Sequence, residues 1–119
     1  MALAQTTLGD ITQIQSNSTG TVLTVANDKP VYIRSLLLHG LDDANTNEVE
    51  IHVVPNNGGS VGTASSVNRI AKVGLSTNDT YFFECAYPIT LVSNNDTVQV
   101  VNADGVSGVN VIVLGDKEA

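Results

Sequence analysis

The residue types that could do chemistry are few, and most stand where turns are expected. Acid–base catalysis needs carboxylates held in place or a histidine of tuned proton affinity. Asp28, Asp42, Asp43, Asp79, Asp96 and Asp104 all fall in predicted turns. A turn aspartate ordinarily bonds its own backbone, so a structural role is the simpler reading. His39 ends a predicted strand and His52 points outward from another, which reads as surface or hydrogen-bonded histidine rather than base or ligand. Cys85 follows Glu84 with no basic neighbour to stabilise a thiolate, so it reads as an inert small residue. Neither a Gly-x-Ser-x-Gly elbow nor a phosphate-cradling glycine loop occurs, and Asn57-Gly58-Gly59 is a turn signal. Asp42, Asp43, Asp79 and Asp96 are expected at one end of the fold, where their oxygens would suit Ca²⁺. They lack EF-hand spacing, and charges crowding where subunits meet is the other reading. No catalytic residue, cofactor or metal ligand is assigned.

Three basic residues are expected in strands: Arg34 and Lys72 within them, and Arg69 opening one. Solvated side chains are the simple reading, with pairing of Arg34 to a glutamate across the sheet or to a partner as the alternative.

These residues must be positioned by a small scaffold. The chain has 119 residues, enough for one domain. Apolar residues make up 42%, which supports a real core, while charged residues are only 14%. Five basic residues against 12 acidic give a formal charge of −7. That balance argues against nucleic acid, which needs a basic face, and against an anionic membrane surface. Met1 to Leu8 has neither the basic region nor the apolar run of a secretory signal, and nothing approaches a membrane-spanning stretch. One cysteine cannot close an internal disulfide. The sequons at Asn17, Asn78 and Asn95 read as turn residues.

Valine is the commonest residue, with 17 copies, and Asn and Thr have 12 each. β-Branched residues suit a pleated surface and asparagine suits tight turns, while no helical periodicity is found. Eight short apolar runs are predicted as strands: 21–26, 31–39, 48–54, 69–75, 80–84, 89–92, 97–101 and 109–114. The run 8–15 is a further strand or an arm. Turns fall between them, including Cys85 to Pro88 and the long stretch from Pro55 to Val67. The expected fold is an all-β antiparallel sandwich, as an eight-stranded jelly roll. The divisions are an N-terminal arm or edge strand over 1–19, a sandwich over 20–115 and a tail over 116–119.

Alternation assigns faces. Val49, Ile51 and Val53 should point one way and Glu50 and His52 the other. The turns Leu75 to Thr80 and Val92 to Thr97 echo each other, and strand counting places both at one end, opposite the Pro55 to Val67 stretch. The expected core holds Val22, Ile33, Leu36, Leu38, Val49, Ile51, Val53, Ile70, Val73, Tyr81, Phe83, Ile89, Leu91, Val98, Val100, Val109, Val111 and Val113. Some strands are apolar on both faces: Leu36 to Leu38, Val98 to Val101, and Val109 to Leu114. Either long loops cover them or subunits meet there. On the second reading the interface residues are Leu36, Leu38, Val101, Ile112 and Leu114.

Several stretches together carry a resemblance. They are Val31-Tyr32-Ile33-Arg34-Ser35-Leu36-Leu37-Leu38-His39, then Val49 to Pro55 followed by Asn56-Asn57-Gly58-Gly59, then Leu75 to Thr80, then Pro88-Ile89-Thr90-Leu91-Val92 to Gln99. Taken in this order over residues 20–114, the chain resembles small β-sandwich virion proteins of tailed bacteriophages. The resemblance implies a non-enzymatic structural protein, foremost a capsid decoration or cement protein. Such a protein would be made in the host cytoplasm and act on the virion surface. Homotrimerisation and contact with the major capsid protein or other virion proteins would follow. A neck, tail or fibre part, or a receptor- or carbohydrate-binding module, are the alternatives. Residues Ala2 to Gln15 could then add a strand to a neighbour.

Overall fold

The computed structural model describes residues 3–8, 11–41, 46–104 and 107–118. Among these residues nine strands form, in chain order β1 (Leu3–Thr7), β2 (Thr12–Ile14), β3 (Ser18–Thr24), β4 (Val31–Gly40), β5 (Asn47–Val54), β6 (Arg69–Leu75), β7 (Thr80–Leu91), β8 (Thr97–Asp104) and β9 (Val109–Glu118). One sheet has the order β1-β9-β4-β7, with β2 also pairing β9. The other has the order β3-β8-β5-β6, and every pairing is antiparallel. β1 and β2 share one strand position along β9, so eight positions remain. Counted that way, the sheets run 1-8-3-6 and 2-7-4-5, the jelly-roll order.

The eight positions are not the eight predicted runs. The runs 80–84 and 89–92 are one strand, β7, and the missing position is filled by the N-terminal segment. Thus β1 and β2 pair within their own chain, and Leu8 and Ile14 enter the core. At the other terminus β9 continues to Glu118, so residues 116–118 are strand rather than tail.

The expected turn Cys85 to Pro88 is a bulge within β7. Ile33 pairs with Ile89 and Ser35 with Glu84, so four residues of β7 stand opposite Arg34 alone. Arg34 is also the extra residue against β9, where Ile33 pairs with Gly115 and Ser35 with Leu114. β7 is the edge strand, and an edge tolerates proline because the missing donor would face outward. Passing straight through the bulge, β7 carries the chain from one end of the sandwich to the other. Asp79 and Asp96 therefore lie at opposite ends, against the expectation that they share one. Asp79 sits beside Gly40, with Gly40 N donating to its carbonyl (3.0 Å). Asp96 sits beside Val25 and Asn56. Between these ends β4 spans Val31 to His39, roughly 25–30 Å of strand.

The core lies between the sheets. Ile33, Leu36 and Leu38 from β4 and Val111 and Val113 from β9 meet Val49, Ile51, Val98 and Val100 from the other sheet. Each fully buried aliphatic side chain contributes about 1.5–3 kcal/mol. Two expected core members are at the rim instead: Ile70 and Tyr81 are exposed, because β6 and β7 are edge strands. All three sequon asparagines have left-handed backbone, with φ of 53° at Asn17, 53° at Asn78 and 66° at Asn95. Asparagine tolerates that region where larger residues do not.

Candidate functional site

Of the five residues expected at an interface, Leu36 and Leu38 are buried between the sheets and present nothing to a partner. Their position follows from register: Leu37, between them, takes the outward face and pairs with Phe82 and Ile112. Ile112 and Leu114 are half-buried on that outer face of the first sheet. Val101 is half-buried on the outer face of the second, across from Glu50 and Thr19. The five are therefore not gathered into one surface.

The outer face of the second sheet is covered by the chain itself. The stretch from Pro55 to Asn68 folds back over β5 and β8. His52 points outward as alternation requires, yet it is only 2% exposed beneath this loop. Its Nδ1 lies 2.8 Å from Asn68 Oδ1, and its Nε2 lies 3.0 Å from Glu50 Oε1. Arg69 Nη1 approaches the other Glu50 oxygen at 3.5 Å. Gln99 Nε2 donates to the Gly62 carbonyl (3.0 Å) and to Thr97 Oγ1 (3.0 Å). Thr97, Gln99 and Val54 are buried under the same cover. The two-sided burial of β8 is thus met by a long loop.

The groups singled out for chemistry are held in structural bonds. Asp96 accepts from Asn56 N (2.8 Å), Asn56 Nδ2 (3.0 Å) and Ser93 N (3.1 Å). Burial alone would raise its proton affinity, but these bonds outweigh it and hold the carboxyl below the usual aspartate range. Arg34 Nε donates to Asp116 Oδ2 (2.7 Å), whose side chain is buried, so Arg34 is paired across to β9. His39 Nδ1 meets Thr80 Oγ1 at 2.8 Å. Burial pushes the Cys85 thiol up, away from thiolate chemistry. Lys72 approaches Glu48 at 3.8 Å. Asp42 and Asp43 lie outside the described residues, and among the described residues no cluster of metal-binding side chains forms.

Among the described residues, the exposed large apolar side chains concentrate along one flank. Of the large apolar residues that face solvent, five fall between residues 67 and 87: Val67, Ile70, Tyr81, Phe82 and Tyr87. Val67 is 93% exposed, Tyr87 86% and Phe82 51%. They belong to β6, β7 and their flanks, and these two strands are the edges on one side of the sandwich. From Phe82 an apolar row runs inward through Leu37 and Ile112, both half-buried. An exposed apolar edge is what a partner covers. Arg69, Lys72 and the bulge at Cys85–Pro88 interrupt it, which disfavours indiscriminate strand pairing. Sequence reasoning missed this flank because aromatic and β-branched alternation looks the same in a central strand and an edge strand.

No family model matches the chain, and no curated protein matches it in sequence. Among solved structures, the chain is similar to one in the "Structure of infectious bursal disease virus Gx strain", at 14% identity and a TM-score of 0.44. The match covers 98% of this chain and 32% of that one, so this chain spans about a third of its length. The jelly-roll assignment rests on the strand order given above.

Proposed function

We propose that this protein is a non-enzymatic structural component of a virion, and that within a tailed bacteriophage it acts as a capsid decoration protein. The observation that carries the reading is the contrast between a covered face and an exposed edge. The long loop covers the β5–β8 part of the second sheet, while the β6–β7 edge keeps Ile70, Tyr81, Phe82 and Tyr87 exposed, with Leu37 and Ile112 half-buried beside Phe82. An edge that concentrates exposed apolar side chains suits packing against neighbours. The site chemistry supports the same reading: His52, Glu50, Asp96 and Asp116 are each committed to a bond that holds a loop or a strand. The acidic surface keeps the free protein soluble before assembly.

Homotrimerisation through the open flank, with the capsid shell as the further partner, is the form we favour. A neck, tail or fibre position would use the same flank. The test is the mass of the purified chain by light scattering at several concentrations, followed by co-sedimentation with purified empty phage capsids. The expected result is a stable trimer that co-sediments. A chain that ignores capsids but is retained by glycans would replace this reading with a surface-recognition role.

A further inference from the structure

On the side of the sandwich opposite β6 and β7, the two sheets part at one end to leave a cleft of about 350 Å³. Its floor is apolar: Leu8, Leu23 and Val31, all core residues. Its rim carries Lys29 and Lys117, with Thr24, Ala26, Asn27 and Glu118. The placement of Lys117 follows from register. It pairs with Val31, whose side chain points between the sheets, so Lys117 shares that inward face at the mouth. Lys29 is brought to the rim by the turn whose residues Asn27 and Asp28 have φ of 55° and 49°, and Lys29 N donates to the Ala26 carbonyl (3.1 Å).

The charge pattern makes this cleft unlike the rest of the surface. The chain has five basic residues. Arg34, Arg69 and Lys72 are paired with Asp116, Glu50 and Glu48. Among the described residues, Lys29 and Lys117 are in no ion pair, and both line this cleft. Glu118, the carboxylate on the rim, accepts from the Tyr32 hydroxyl at 3.4 Å. On a protein of charge −7, two ammonium groups against the single carboxylate of Glu118 leave this rim locally positive, a weak attraction for anions. The cleft's volume is at the small end of ligand sites, and its lining is the more polar kind, with the apolar surface confined to Leu8, Leu23, Val31 and Ala26.

We propose that this cleft is a binding site for an amphiphilic carboxylate, with its apolar tail on Leu8, Leu23 and Val31 and its carboxylate between Lys29 and Lys117. The site is independent of the β6–β7 flank and of any virion role.

The test is a two-dimensional amide NMR titration of the full chain with octanoate, octanol and octyltrimethylammonium, which share a tail and differ in head charge. Saturable shifts around Leu23, Val31 and Lys117 are expected with octanoate, at best weak ones with octanol, and none with the cation. Lys29→Gln and Lys117→Gln should each weaken octanoate about three- to fivefold, the worth of one exposed ion pair. Both side chains are exposed, so the fold is kept. Thr24→Trp, also at an exposed position, should fill the cleft and abolish binding. Octanol or the cation binding as well as octanoate would overturn the proposal. So would shifts centred elsewhere, or no saturable shift by about 10 mM octanoate.

Discussion

His52 Nδ1 and Asn68 Oδ1 lie 2.8 Å apart, and this contact ties the long loop to the second sheet. The direction of the bond is fixed by the other bonds of Asn68. Its Oδ1 also accepts from Ser65 N (2.9 Å), and its Nδ2 donates to the Thr63 carbonyl (3.0 Å). Oδ1 is therefore the acceptor and His52 Nδ1 the donor. Val53 N donates to the Asn68 carbonyl (3.0 Å), a second tie at the same place. His52→Leu would leave Asn68 short of a donor and Glu50 without its nearest partner beneath the loop. A loss of about 2–4 kcal/mol is expected in urea unfolding. Limited proteolysis should also begin cutting between residues 56 and 67. An unchanged midpoint and an uncut loop would mean that the latch holds nothing.

Gly115 answers to a different constraint. It sits beside the Arg34 bulge, and a Cβ there would collide with the Tyr32 carbonyl oxygen and crowd Arg34 N. Both obstacles are backbone and cannot swing aside. Gly115→Ala should therefore destabilise by about 1–3 kcal/mol, as overpacking does. Gly74→Ala is the matched control, since its Cβ would meet only Thr46 Cγ2 at an ordinary 3.7 Å. Thermal unfolding of the two variants side by side decides the point. Equal midpoints would show that the bulge can open to admit a methyl group.

Val111 is 1% exposed and pairs with Leu38 at the centre of the first sheet. Val111→Asp would bury a charge with no partner, at a cost on the order of several kcal/mol. Loss of the folded state by circular dichroism is expected. A soluble, native-like variant would show that this strand is not interior.

Much of this was legible in the sequence, because alternation reports which way a side chain points. Val49, Ile51 and Val53 face inward and Glu50 and His52 outward, as read. Alternation does not report what lies over a face. Nothing in His52 itself says that a loop will cover it; Leu36 and Leu38 lie in the core as expected, and only their second assignment to an interface fails, because Leu37 alone of the three faces out. Pro88 misled for a physical reason. Proline beside Tyr87 and Cys85 signals a turn, but an edge strand absorbs the same residues as a bulge. That one reading split β7 and put Asp96 at the wrong end. The echo of Leu75 to Thr80 in Val92 to Thr97 is shared turn chemistry: Asn78 and Asn95 both adopt left-handed backbone, each followed by an aspartate.

Asp96 is the group expected to respond to acid at one end of the fold. Its carboxyl is held below the usual aspartate range by donors from Asn56 and Ser93. A group depressed in the folded state contributes stability above its unfolded proton affinity, near pH 4, and loses it as pH falls through the folded value. Stability measured from pH 6 downward should therefore fall below about pH 4, with the Asn56 and Ser93 amides losing protection from exchange first. Asp96→Asn lacks the second acceptor oxygen, so it should be less stable at pH 6 and show a flatter acid limb. A wild-type acid limb matched by the variant would place the acid-sensitive group elsewhere.

The open flank gives the prediction on which the functional reading depends. Phe82 and Tyr87 are more than half exposed on an edge strand, so they contribute little to the isolated fold. Phe82→Ser and Tyr87→Ser should change monomer stability by only about 0.5 kcal/mol each. If neighbours pack on this flank, the same changes remove buried aromatic contacts, the kind that dominates interfaces. The double variant should then shift the light-scattering mass toward monomer and lose co-sedimentation with capsids, while its unfolding curve stays near wild type. Substitution of Ile112 by serine tests whether the contact extends along the row onto the centre of the sheet. Retained assembly in both the double variant and the Ile112 variant would move the interface off this flank, and the paired loss of stability and assembly would mean that the residues support the fold rather than a contact.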